Sequence, residues 1–307
     1  MYIKKASIQG PCKGVIGAIK KVSSLINNSN VQRPIYMLGS IVHNENVTNA
    51  FKSKGVIILD GSNKLKSLEN IKSGTVIITA HGVSDEIYDY LNHNNIDYVD
   101  CTCSYVNKTK DLIKEKIKLG YSVLYLGVKN HPECESVCLM QDVHLINYKD
   151  AIKDNYSFSD DLNLKSKVIL TCQTTLSYGE VEKVYEKLKG FIPHLELAGE
   201  VCSATRLRQS ALIRECDGFD LCLVVGDKFS NNTNSLKEVA IKYANCPSEV
   251  VSSIDDLKNI SISDNMRIFI TSGASTPKVI VDSVVDFLES NGNIIKNISL
   301  DEYIKIR

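Results

Sequence analysis

The stretch Asp97-Tyr-Val-Asp-Cys-Thr-Cys-Ser-Tyr-Val106 carries a short apolar run into a cysteine and then into a helical pattern. Val106, Leu112, Ile113 and Ile117 recur behind Cys103 near the spacing of one helix face. The same passage occurs twice more. Cys12 precedes Val15, Ile16, Ile19, Val22 and Ile26, and Cys202 precedes Leu207, Leu212 and Ile213. The three cysteines stand 91 and 99 residues apart, close to thirds of the 307-residue chain. Regular self-similarity of this kind signals repeated supersecondary units.

Outward from these points, β-branched apolar runs alternate with helical patterns. They are Pro34-Ile-Tyr-Met-Leu38, Val56-Ile-Ile-Leu59 and Thr75-Val-Ile-Ile-Thr79, then Ser122-Val-Leu-Tyr-Leu126, Val143-His-Leu-Ile146 and Lys167-Val-Ile-Leu-Thr171. Asp220-Leu-Cys-Leu-Val-Val225, Glu249-Val-Val-Ser252 and Arg267-Ile-Phe-Ile-Thr271 complete the series. Connections long enough for a crossover helix predict parallel strands with helices on both faces, an α/β fold. The length exceeds what one core usually serves. The thirds predict units at 1–102, 103–199 and 200–290, a C-terminal tail at 291–307, and residues 1–12 free to pack with the last unit.

Two strand ends per unit finish in polar tips, where parallel α/β proteins place ligand groups. The first tips are His43, His131 and Ser230, lying 31, 28 and 28 residues after their cysteines. The second are His81, Thr174 and Ser275, a further 38, 43 and 45 residues along. Three copies of one unit, each with a cysteine and two tips, predict a pseudo-threefold arrangement around a central site.

Thirty-six lysines and arginines balance thirty-six acids, so no global positive field favours nucleic acid or an anionic membrane. Neither a signal-peptide run nor a membrane-length apolar stretch is present in the sequence, which reads as cytoplasmic. Ten cysteines in a reducing compartment are packing residues, ligands or nucleophiles rather than a disulfide framework. Three thiolates meeting at a centre call for a metal. Zinc is one candidate, although close Cys-x2-4-Cys pairs suited to it are missing among these three. A [4Fe-4S] cluster with one open iron is the other, and helix N-termini beside the sulfurs would favour the thiolates and tune its potential.

Cys12-Lys-Gly-Val15, Val42-His-Asn44, Ala80-His-Gly-Val-Ser84, Asp100-Cys-Thr-Cys103, His131-Pro-Glu133, Gln173-Thr-Thr-Leu-Ser177, Cys202-Ser-Ala-Thr205 and Gly273-Ala-Ser275 appear in order over nearly the whole chain. Together they resemble the 4-hydroxy-3-methylbut-2-enyl diphosphate reductase family. The resemblance implies a cloverleaf of three α/β domains around an iron–sulfur cluster. It also implies reductive removal of an allylic hydroxyl, giving isopentenyl and dimethylallyl diphosphates, the last step of the non-mevalonate isoprenoid pathway. An external one-electron donor, a ferredoxin or flavodoxin, is implied as well.

Carried over position by position, the resemblance makes Cys12, Cys103 and Cys202 the cluster ligands, with Cys101 a packing residue. It lines the diphosphate pocket with His43, His81, His131, Ser230, Asn231, Asn232 and Ser275, neutral donors and imidazoles suited to an enclosed anion. Glu133 becomes the acid that protonates the departing hydroxyl, with Thr174 hydrogen-bonded to that group. Burial there would raise its pKa. Gly17, Ser104, Cys134, Ser136 and Asn231 depart from the family pattern, which admits a divergent member reducing another hydroxylated compound. An iron–sulfur sensor without activity would not need Glu133 and Thr174, and thiol catalysis at Cys172 ranks last. Lys228, Arg206 and Arg208 could contribute positive charge near the pocket, although the reading as solvated surface groups is favoured.

Overall fold

The computed structural model describes residues 1–156, 164, 167–199 and 201–290; the expected tail at 291–307 lies outside the described residues. In chain order the first elements are β1 (Tyr2–Lys5), α1 (Lys13–Asn27), β2 (Ile35–Leu38), α2 (Glu45–Lys52), β3 (Ile57–Leu59), α3 (Lys64–Leu68), β4 (Thr75–Ile78), α4 (Asp85–His93) and β5 (Asp97–Asp100). Next come α5 (Ser104–Lys118), β6 (Ser122–Gly127), α6 (Pro132–Cys138), β7 (Val143–Asn147), α7 (Tyr148–Ala151), β8 (Val168–Cys172), α8 (Tyr178–Phe191) and β9 (Leu195–Leu197). The last are α9 (Ser203–Glu215), β10 (Leu221–Val225), α10 (Asn231–Tyr243), β11 (Ser248–Val251), α11 (Ile254–Leu257), β12 (Arg267–Ser272) and α12 (Lys278–Glu289).

Twelve described strands form three four-stranded sheets in the orders β5-β4-β2-β3, β9-β8-β6-β7 and β1-β12-β10-β11. The registered pairs are parallel. Written this way, the sheets share one topology. A strand ending in a first tip lies inside, beside the strand ending in the second tip, and a short edge strand leads out to a cysteine. β1 fills in its sheet the place that β5 and β9 fill in theirs, with Tyr2 opposite Arg267 and Lys5 opposite Ile270.

Ten strands coincide with the expected runs, and two do not. Tyr2-Ile-Lys-Lys5 and Leu195-Glu-Leu197 are short, partly polar segments at sheet edges. An edge strand is paired on one side only and needs no continuous apolar run, so it leaves little trace in hydropathy.

Both faces of the sheets are covered. In β10, Leu221, Leu223 and Val225 join a core with Ile280, Val281, Val284 and Leu288 of α12. The intervening Cys222 and Val224 pack on the other side with Leu212 of α9 and Leu236, Val239 and Ala240 of α10. β6 alternates likewise: Leu124 and Leu126 face α8, whereas Val123 and Tyr125 pack with Ile113 of α5 and Cys134 and Val137 of α6. Strict alternation between two buried faces is why these strands read as unbroken apolar runs.

The chain divides into two compact units, one of residues 1–30, 40–58 and the described chain from Ala204, the other of 31–39 and 59–203. The first contains the sheet β1-β12-β10-β11; the second contains β9-β8-β6-β7 and the strands β2, β4 and β5.

One helix departs from its expected pattern. Leu207 and Ile213 of α9 are exposed, at 52% and 40%, and the buried face carries Thr205, Arg208, Gln209, Ala211 and Leu212. Each of the buried polar side chains Thr205, Arg208 and Gln209 has a partner. Arg208 donates to the Ala204 and Gly10 carbonyls, Gln209 Nε2 donates to Ser235 Oγ at 3.1 Å, and Thr205 Oγ1 accepts from Asn232 Nδ2 at 3.3 Å. Arg208 is therefore a buried group and not the surface cation its sequence suggests. Apolar spacing misleads here because hydrogen-bonded polar side chains are as acceptable inside as leucines.

Candidate active site

Each tip lies where a strand hands over to a helix. His131 is the N-cap of α6, and its Nδ1 accepts the Glu133 backbone N–H at 3.2 Å. An accepting Nδ1 places the ring proton of neutral His131 on Nε2. The His81 ring meets that of His131 edge to face, with centroids 5.6 Å apart.

Glu133 follows in the first turn of α6 and is 2% exposed. Its Oε1 accepts the Thr174 backbone N–H at 2.8 Å and the Tyr125 hydroxyl at 3.3 Å, and its Oε2 accepts the Thr174 hydroxyl at 2.8 Å. Burial raises its pKa to about 7, and the bonds from Thr174 and Tyr125 hold it back from rising further. A carboxyl poised there can give or take a proton near neutrality. Gln173, fully buried, ties this corner together. Its Oε1 accepts from Val128 N–H at 2.9 Å and from the Cys134 thiol at 3.4 Å, and its Nε2 donates to Thr175 Oγ1 at 2.8 Å.

The corresponding tips of β10 and β12 carry no carboxyl in these roles. Ser230 caps α10 by accepting Thr233 N–H at 3.4 Å. Asn232 Oδ1 accepts Ala274 N–H at 2.9 Å, while Ser275 Oγ donates to the His43 carbonyl at 2.9 Å. Asn231 Nδ2 is buried with no partner. A buried amide donor left open at the first turn of a 13-residue helix suits an anion's oxygen. His43 precedes the α2 N-cap Asn44. Burial lowers its pKa, against the raising effect of Asp227.

The three expected ligand cysteines share one attachment. Cys12 N–H donates to Ala274 O at 3.0 Å, Cys103 N–H to Ala80 O at 3.0 Å and Cys202 N–H to Thr174 O at 3.2 Å. Each cysteine thus hangs from the second tip of a sheet, directly before α1, α5 or α9. All three are half-buried, as is Cys138, whereas Cys101, Cys134, Cys172, Cys216, Cys222 and Cys246 are buried. The sulfur of Cys12 accepts Val15 N–H at 3.5 Å, capping the start of α1. Cys172 belongs to the buried set. Burial and then the charge of Glu133 push its thiol up to about 12, which keeps it protonated near neutrality. Three reachable sulfurs at helix starts, distinct from six packed ones, fit an iron–sulfur donor set.

Parallel sheets tipped with imidazole, hydroxyl and amide donors, a buried proton-active carboxyl and sulfur donors define an α/β redox enzyme for a small anionic substrate. The comparisons narrow the class. A profile of the LytB protein family matches residues 3–289, and the chain belongs to this family. It is 41% identical to the 4-hydroxy-3-methylbut-2-enyl diphosphate reductase of Anoxybacillus flavithermus over 94% of this chain and 90% of that one. It is 40% identical to the enzyme of the same name from Lysinibacillus sphaericus, over 94% and 88%. The solved E-1-hydroxy-2-methyl-but-2-enyl-4-diphosphate reductase from Plasmodium falciparum superposes with a TM-score of 0.82 at 29% identity, covering 99% of this chain and 96% of that one. Family membership implies an iron–sulfur cluster.

Tyr125 and the burial of Arg208 escaped the sequence reading. The one visible signal for Tyr125 is a phenol in an otherwise aliphatic strand, Val123-Leu-Tyr-Leu126, eight residues before Glu133. Arg208 has none, because its acceptors are main-chain carbonyls, one of them 198 residues away.

Proposed function

We infer that the chain reduces (E)-4-hydroxy-3-methylbut-2-enyl diphosphate to isopentenyl and dimethylallyl diphosphate, the terminal step of the non-mevalonate pathway. Replacing C–OH by C–H takes two electrons and two protons and releases water. A [4Fe-4S] cluster held by Cys12, Cys103 and Cys202, one iron lacking a protein ligand, supplies the electrons and a Lewis acid when bound.

The observation that carries the site assignment is the Glu133–Thr174 pair, two bonds of 2.8 Å around a buried carboxyl. Glu133 holds the proton that leaves with the hydroxyl as water, and Thr174 orients that hydroxyl. His43, His81, His131, Ser230, Asn231, Asn232 and Ser275 hold the diphosphate through ring N–H, hydroxyl and amide donors. Directed donors compensate a multiply charged anion without bringing lysine side chains into the pocket. Electrons come from a ferredoxin or flavodoxin in the cytoplasm, where ten thiols stay reduced. Among the described residues, no helix is long and apolar enough to cross a membrane.

Anaerobically purified, cluster-loaded protein given this diphosphate and a chemical reductant should yield both isomeric products. Cluster oxidation without either product would defeat the assignment.

A further inference from the structure

The two oxygens of Glu133 have different surroundings. Oε1 faces two donors, the Thr174 backbone N–H at 2.8 Å and the Tyr125 hydroxyl at 3.3 Å. Among the described residues, Oε2 is met by the Thr174 hydroxyl alone, at 2.8 Å. A main-chain N–H cannot accept, so a proton placed on Oε1 would point at another hydrogen.

The phenol is built into this place. Tyr125 is completely buried in β6, and a Cβ at position 127 would fall 2.9 Å from its Cε1 and still closer to Cys134 Sγ. Glycine at 127 therefore makes the space in which the ring and the thiol of Cys134 lie side by side. The titratable groups facing the pair are Cys134 and Cys138 of α6, Cys172 of β8 and His131 at the α6 N-cap. Burial pushes all three thiols well up, which leaves them protonated and Glu133 as the carboxyl whose charge changes.

We propose that Tyr125 is a positioning residue which, with the Thr174 amide, reserves Oε1 as an acceptor and confines the transferable proton to Oε2. The proton then faces the Thr174 hydroxyl. A hydroxyl is a rotor that can accept from Oε2–H while donating its own hydrogen onward. Proton delivery thereby acquires a direction, from Oε2 through Thr174 toward the substrate oxygen. This inference rests on Glu133 being the acid.

The test is Tyr125→Phe in cluster-loaded protein, which keeps the ring and removes only the hydroxyl. Two readouts are followed: the pH profile of kcat, and an infrared titration of the carboxyl band that is absent in Glu133→Gln. Losing a donor to the carboxylate should move the infrared midpoint upward by about half a unit to one unit, with the alkaline limb of kcat following it. With one of the two donors to Oε1 gone, a larger share of the protons sits on Oε1, and maximal kcat should fall about three- to tenfold. A midpoint superimposed on wild type, or an equal loss of kcat at every pH, would overturn the proposal. Normal turnover in Glu133→Gln would instead remove Glu133 from the mechanism, and the Tyr125→Phe midpoint would still report the hydrogen bond.

Discussion

The tips of β6 and β8 and those of β10 and β12 are built on the same strand order, yet they hold different chemistry. At the first pair the side chain crossing between tips is Glu133, whose carboxyl receives Thr174. At the second it is Asn232, whose amide oxygen receives Ala274 N–H. One bridge can carry a proton and the other cannot. On the function proposed above, a repeated scaffold divides labour through a single side chain at each bridge, with proton transfer assigned to one tip and neutral anion-binding donors to the other.

Removing what hangs from the second tip of each of the three sheets should have the largest effect. Cys12→Ser, Cys103→Ser and Cys202→Ser should each purify with most iron and sulfide lost, while Cys101→Ala, buried two residues from Cys103, should keep them. Full iron content in all three serine variants would erase the distinction between reachable and packed sulfurs.

The difference between the bridges is tested next. Glu133→Gln should retain cluster and substrate affinity and lose about 10²- to 10⁴-fold in kcat. Wild-type kcat should also decline as pH rises through about 7, where Glu133 loses its proton. The sign for stability is the same. A folded pKa above the unfolded value of 4.5 means the stabilising proton is fully held below that value and lost as pH rises through about 7. Wild type should therefore lose stability relative to Glu133→Gln across that window in denaturant titrations.

Smaller effects belong to the neutral bridge. Asn232→Ala leaves Ala274 N–H without its acceptor, costing about 1–3 kcal/mol of stability. It should raise KM more than it lowers kcat, with no displacement of the pH profile. A displaced alkaline limb in that variant would mean that the two tips are not chemically separate.

Much of this was legible before any coordinates. The six inner strands announced themselves because they are buried on both faces, and the three cysteines because each opens a helix. The edge strands β1 and β9 did not, being short and half polar. The α9 helix misled, since Leu207 and Ile213 lie outward while Arg208 and Gln209 are buried with hydrogen-bonded partners. Cys172 could not be separated from a reactive thiol by its motif; its burial beside Glu133 decides that.

By itself the sequence determined the α/β class, the recurring cysteine and tip positions and the chemical identity of the groups there, because periodicity and residue type are local properties. Only the tertiary structure decided that each cysteine hangs from the second tip of a sheet, that β1 completes the sheet of β10 to β12, and that Tyr125 shares Glu133 with Thr174. Those facts depend on strands and loops separated by tens to hundreds of residues coming within hydrogen-bonding distance. Burial then sets the protonation of Glu133, a property of its surroundings that no local pattern contains.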